Sequence, residues 1–154
     1  LERGFQLKEA VTRPVNDMQV LRGLVKAVYP VVELPELNFQ HMPSLLGTDI
    51  IANNVAARQY ILGERAASVP ENINVLPVQL YHNDQLILES LASDAMGDQW
   101  QALGWLINQS LANGWVIDPG QILITGALGD MLPTKPGNYT ADFAELGRIE
   151  WRVE

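Results

Sequence analysis

The chain has 154 residues, 18 acidic and 10 basic, for a formal net charge of −8. With a 47% hydrophobic fraction and a mean hydropathy of +0.02, it is a globular chain long enough for one domain with a real core. The acidic balance argues against a nucleic-acid backbone or an anionic membrane as partner. The absence of cysteine excludes disulfides, thiolate catalysis and cysteine metal sites. No apolar run reaches the ~18 residues of a membrane span.

Residues 1–12 alternate weakly and read as a strand. Charges at Glu2, Arg3, Lys8 and Glu9 stand where a signal peptide would be apolar. The chain opens on Leu1 rather than Met, so the reading is a single domain, 1–154, forming the C-terminal portion of a longer protein. Asn16, with Gln19 three residues on, has the spacing of a helix N-cap. Met18, Leu21, Leu24, Val25 and Val28 then recur at helical spacing. The helix is expected to run over 16–28 and to end at Pro30, because a proline pushes its predecessor out of the α region.

Val31 to Leu34 reads as a short apolar strand carrying one carboxylate, Glu33. Residues 36–47 read as loop, and Thr48-Asp49 can start a short helix through about Val55. Ala57 to Leu62 is an expected strand. The runs 75–82 and 85–89 around Asn83-Asp84 form a hairpin signal, with Pro77 marking an edge or bulge. Asp98 can cap a second helix that buries Trp100, Leu103, Ile107 and Leu111 and stops at Asn113-Gly114. Trp105 and Leu106 are expected in the core. After the Asp118-Pro119-Gly120 turn come a strand over 121–125 and an antiparallel pair, 139–144 with 148–153. Two main helices and about seven strands without βαβ alternation predict an α+β fold with a mostly antiparallel, curved sheet.

The residues that could carry chemistry are few. Glu33 lies among apolar neighbours, so it either reaches solvent at a strand end or must be paired, protonated or metal-bound. Asp49 and Asn54 can serve a site or merely cap and turn the chain. Thr125-Gly126 can bind a small acid through backbone N–H groups or can be only a strand-to-loop bend. His41 and His82 have no metal-ligand spacing, and His82, beside the hairpin turn, is expected to be solvated. Hydrolase, P-loop and dinucleotide fingerprints are absent.

Four segments together resemble the 2-keto-4-pentenoate hydratase family of the fumarylacetoacetate hydrolase superfamily. The most specific is Thr125-Gly126-Ala127-Leu128-Gly129, followed by the Pro136-Gly137 turn and a strand before Leu146-Gly147. Next is Pro30-Val31-Val32-Glu33-Leu34-Pro35. Asp49 to Ala56 matches an Asp-Xaa-Xaa-Ala-Asp-Asn-Ala-Ser pattern, with Asn53 in place of Asp and Ala56 in place of Ser. Gly97 to Leu106 matches a Gly-His-Pro helix start, with Asp98-Gln99 in place of His-Pro. The resemblance implies the superfamily fold without its N-terminal part and a lyase of the hydratase/decarboxylase group acting on 2-keto-4-enoic acids through a metal-stabilised enolate. It implies Glu33 as one of three carboxylates holding Mg²⁺ or Mn²⁺, the other two coming from an upstream acidic pair, so that metal binding by this chain alone is expected to be weak or absent. It further implies catalytic roles for Asp49, Asn54 and Thr125, substrate contacts at Thr125, Gly126, Ala127 and Leu128, and one cavity shared by Glu33, Asn54 and Thr125. The expected partners are a small 2-keto acid and further copies of the chain, a two-fold dimer through uncovered strands at Val31, Val32, Ile61, Leu62 and 122–124, with neither nucleic acid nor membrane. The expected compartment is the cytoplasm, or outside it if an upstream segment carries a signal. The alternative function is a catalytically inactive remnant serving as a structural or oligomerisation module.

Overall fold

The structure, a computed structural model, describes residues 1–37, 39 and 44–154; His41 lies outside them. Among the described residues eight strands form two four-stranded antiparallel sheets. In chain order the elements are β1 (Glu2–Leu7), α1 (Met18–Leu24), β2 (Val25–Leu34), α2 (Gly47–Ala52), β3 (Gln59–Leu62), β4 (Pro77–His82), β5 (Gln85–Leu91), α3 (Gln99–Ala112), β6 (Ile122–Ile124), β7 (Gly137–Asp142) and β8 (Arg148–Val153). The first sheet has the order β3-β2-β1-β6 and the second β5-β4-β7-β8. The α+β class and the antiparallel, curled sheets are as expected. No described helix is long and apolar enough to cross a membrane.

The first helix is shorter than its periodicity suggests. Asp17, not Asn16, caps it, accepting from the N–H groups of Gln19 and Val20, and it ends at Leu24. Val25 and Val28 belong instead to β2, a ten-residue strand dense in β-branched side chains, which favour the extended chain. Pro30 lies inside this strand opposite Arg3. Its carbonyl accepts from Gly63, so the side on which its N–H is missing is the side where β3 has just ended. Pro77, the first residue of β4, is tolerated for a similar reason: it pairs with Leu91 on one side, while β7 reaches only 79–82 on the other. Asn83 and Asp84, at φ +47 and +63, make the primed two-residue turn that the hairpin twist requires.

Asp98 caps α3, accepting from Trp100 and Gln101, an arrangement worth about 1 kcal/mol. Trp100, Leu103 and Ile107 on α3 pack with Leu21 of α1 against Phe5, Leu7 and Val28 of the first sheet. Leu111 is partly buried. Trp105 is 54% exposed rather than in the core, since it lies off that buried stripe. The core continues through Val78, Ala141, Phe143, Leu146 and Ile149 of the second sheet and its adjoining turn. Val31 and Val32 are buried rather than uncovered, while Tyr60 and Leu62 of edge strand β3 are exposed.

Candidate functional site

Directly opposed residues of antiparallel strands share a face. Glu2 pairs with Val31, and Glu33 lies two residues along the same strand opposite Tyr60. The register therefore sets Glu2 and Glu33 diagonally across β1 and β2 on one face, and their carboxyl groups hydrogen-bond to one another. Glu2 is almost fully buried and Glu33 half-buried. The Glu2 carboxylate also accepts from the Gly126 N–H at 2.8 Å. Burial raises the Glu2 pKa from the usual carboxylate range to about 7; the Gly126 N–H opposes this, and the neighbouring Glu33 carboxyl reinforces it. Glu33 stands out in the sequence inside its apolar run, whereas its partnership with Glu2 does not, because that comes from strand register and from a peptide 124 positions away.

Both carboxylates line a cleft of about 950 Å³. Its other wall includes Leu80, Leu88, Tyr139 and Trp151 of the second sheet, and residues of the 127–134 loop lie along it. Tyr139 and Trp151 stack with ring centroids 5.1 Å apart, and the His82 ring lies 4.6 Å from Tyr139 on its own account. His82 is thus half-buried rather than solvated, with Nε2 3.0 Å from the Pro136 carbonyl oxygen. A Cβ at Gly137 would fall 2.4 Å from that nitrogen, and φ there is +144, so the Pro-Gly turn needs its glycine for space and conformation alike.

The other sequence-marked residues divide. Ala127 lines the cleft. Leu128 is fully buried in the core, and its N–H is donated to the Leu1 carbonyl. Thr125 is buried with its hydroxyl donated to Gln99 Oε1 at 2.6 Å. Asp49 accepts from the Leu46 N–H at the start of α2. Asn54 is exposed and begins a run of three left-handed residues, Asn54, Val55 and Ala56, at φ +53, +55 and +65. That turn meets the cleft margin through the Glu36 N–H, which donates to the Ala56 carbonyl, and Glu36 lines the cleft. Neither Thr125 nor Asn54 lines the cleft with Glu33.

No family model matches the chain. Among curated proteins it is 26% identical over 103 residues to a 2-keto-4-pentenoate hydratase of Paraburkholderia phymatum, a match covering 66% of this chain and 39% of that protein. It is 22% identical over 122 residues to 2-keto-4-pentenoate hydratase 1 of Dechloromonas aromatica, covering 78% of this chain and 46% of the relative. The chain thus spans less than half the length of these curated relatives. Among solved structures it resembles 4-oxalocrotonate decarboxylase from Pseudomonas putida G7 complexed with magnesium and adipate, at a TM-score of 0.82 and 21% identity, over 99% of this chain and 60% of that one. A complex of that decarboxylase with calcium and acetate gives 0.80. The fold is that of these decarboxylase structures, and the sequence is distantly similar to 2-keto-4-pentenoate hydratases.

Proposed function

We propose that this chain supplies the carboxylate-bearing part of a lyase site of the hydratase/decarboxylase type, acting on a small 2-keto acid. The observation that carries the reading is the Glu2–Glu33 pair, held at a cleft wall by the Gly126 N–H. Two adjacent carboxylates sharing protons are the donor chemistry of a hard divalent cation, Mg²⁺ or Mn²⁺, whose charge would offset the burial and, secondarily, the neighbouring Glu33 carboxyl that raise the Glu2 pKa. They would furnish two of about six oxygen ligands. Among the described residues no larger cluster of acidic and histidine side chains joins them.

A cation held there would supply charge stabilisation to the carboxylate and keto oxygen of the substrate as the latter enolises. The protein's own part is to bind and orient. Glu2 and Glu33 fix the acid-head end of the cleft. Leu80, Leu88 and Trp151 offer the hydrocarbon tail an apolar wall and keep water from it. Moving a proton at C3 or C5 requires a base at the cleft. Of the further carboxylates there, Glu36 is engaged by Arg58 at 3.4 Å, which leaves Asp130 as the candidate. Hydration and decarboxylation share the enolate, and this site is compatible with either.

Calorimetric titration with Mn²⁺ tests the reading against the weak or absent binding that the resemblance implies for this chain alone: binding that is lost in both Glu2→Gln and Glu33→Ala supports it, and absence of binding to the parent chain sinks it. A purely structural module predicts no binding at all. Self-association is proposed through exposed Tyr60 and Leu62 on edge strand β3. Sedimentation equilibrium showing only a monomer would reject that surface.

A further inference from the structure

Five hydrogen bonds lie between the start of α3 and the carboxylate pair. Gln99 is fully buried, and its Nε2 donates to the Ala92 carbonyl at 2.6 Å. A carbonyl can only accept, so the amide orientation is fixed, with Nε2 toward Ala92 and Oε1 toward Thr125. Oε1 can only accept in turn, so the Thr125 hydroxyl must donate to it, at 2.6 Å. The backbone of Gln99 is held as well, its N–H donating to Asn74 Oδ1 at 2.8 Å, while Asn74 Nδ2 donates to Asp98 Oδ2 at 2.8 Å. Thr125 therefore has no proton left for a ligand. The N–H of the peptide between Thr125 and Gly126 is the donor to Glu2. Gly126 sits at φ +111 with open space where a Cβ would be, so glycine is required for conformation rather than for room.

We propose that Gln99 and Thr125 are positioning residues. By capturing the Thr125 hydroxyl, Gln99 sets the 125–126 peptide so that the Gly126 N–H orients the Glu2 carboxylate toward Glu33. The brace is a property of the metal-free chain, and its importance for the reaction rests on the function proposed above. Gln99 stands where the resembled motif has proline, which has no side-chain amide.

The test reads the Gly126 amide resonance and its hydrogen exchange in the full metal-free chain. Thr125→Val should move the resonance upfield and speed exchange at least tenfold, and Thr125→Ser should restore both. Val78→Ala, a core truncation on β4 far from the brace in sequence, should lower stability while leaving the Gly126 shift in place. If Thr125→Val does not fold, Gln99→Asn withdraws the same amide by one carbon and serves the same comparison. In a second arm, Mn²⁺ affinity should fall roughly tenfold in Thr125→Val, in the range seen when outer partners of metal ligands are removed. An unmoved Gly126 resonance in the folded variant overturns the brace, whatever the metal titration shows. Failure of the parent chain to bind Mn²⁺, with the resonance moving as expected, overturns the metal reading and leaves the brace standing.

Discussion

Glu2 and Arg3 are one peptide apart, both charged and both enclosed, at 4% and 0% exposed. On the Glu2 face of β1 the charge meets polar company: Glu33, and the Gly126 N–H at 2.8 Å. On the Arg3 face it meets the core. The guanidinium lies 5.1 Å from the Phe143 ring centroid and donates one long bond, 3.4 Å, to the Leu76 carbonyl, while Nε and Nη1 have no partner. Burial lowers its pKa to about 10. The first face spends stability on groups that could hold a cation, whereas the second carries a charge that no acid among the described residues pairs with. A buried charge is thus evidence for a site only when its partners form one.

The largest expected effect separates the faces by ligand binding. Glu33→Ala should weaken Mn²⁺ on the order of 100-fold, about 2.7 kcal/mol, while Arg3→Met leaves that affinity within a factor of about three. Equal losses in the two variants would mean that the metal responds to general stability and not to the carboxylate pair. Manganese titration followed by electron paramagnetic resonance measures both.

Next is a pH dependence confined to the Glu2 face. The folded pKa, about 7, lies above the ordinary value of 4.5, so the folded state binds this proton more tightly than the unfolded state does. The stabilisation is therefore full below about pH 4.5 and is lost as pH rises through about 7, an effect on the order of 2–3 kcal/mol for this one group. Denaturant unfolding at pH 5 and pH 8 should show the parent chain less stable at the higher pH and Glu2→Gln with a smaller difference. An unchanged difference in Glu2→Gln would assign the pH dependence to other groups.

The contrast also explains what was legible from residues alone. Glu33 could be read because a carboxylate inside Val31-Val32-Glu33-Leu34 breaks an apolar run. The pairing of Glu2 with it could not, because the partner and the donor of Glu2 are distant in sequence and are brought to it by the fold. Val25 and Val28 fit a helical period equally well, and pairing with β1 decided for the strand. The hairpin at Asn83-Asp84 and the cap at Asp98 were plain, since both are local chemistry. Thr125 was marked by resemblance, but where its hydroxyl goes depends on Gln99, 26 residues earlier.

On the Arg3 face, Arg3→Met should raise unfolding stability by about 1–2 kcal/mol, because a flexible apolar chain replaces a buried, largely unpartnered cation. Arg3→Ala should instead lower it, since the space beside Phe143 is left empty. Thermal unfolding of the pair distinguishes the two contributions. A loss in both variants would mean that the cation–π contact and the Leu76 bond outweigh the desolvation of the charge.

The smallest effect concerns the turn at the cleft margin. Val55 is β-branched and sits at φ +55 between two other left-handed residues, Asn54 and Ala56. Its side chain is 67% exposed, so no burial holds it there. Asparagine adopts this region more readily, and Val55→Asn should stabilise the chain by about 0.5–1 kcal/mol. Among the described residues the turn is hydrogen-bonded to the cleft margin through the Ala56 carbonyl and the Glu36 N–H, and neither group belongs to the replaced side chain. Mn²⁺ affinity should accordingly stay at the parent value. A rise in melting temperature with unchanged affinity would place the strain outside the carboxylate pair. A rise accompanied by weaker binding would instead show that the strained turn holds Glu36 where the site needs it, and would join the 53–57 segment to the Glu2 face of the comparison.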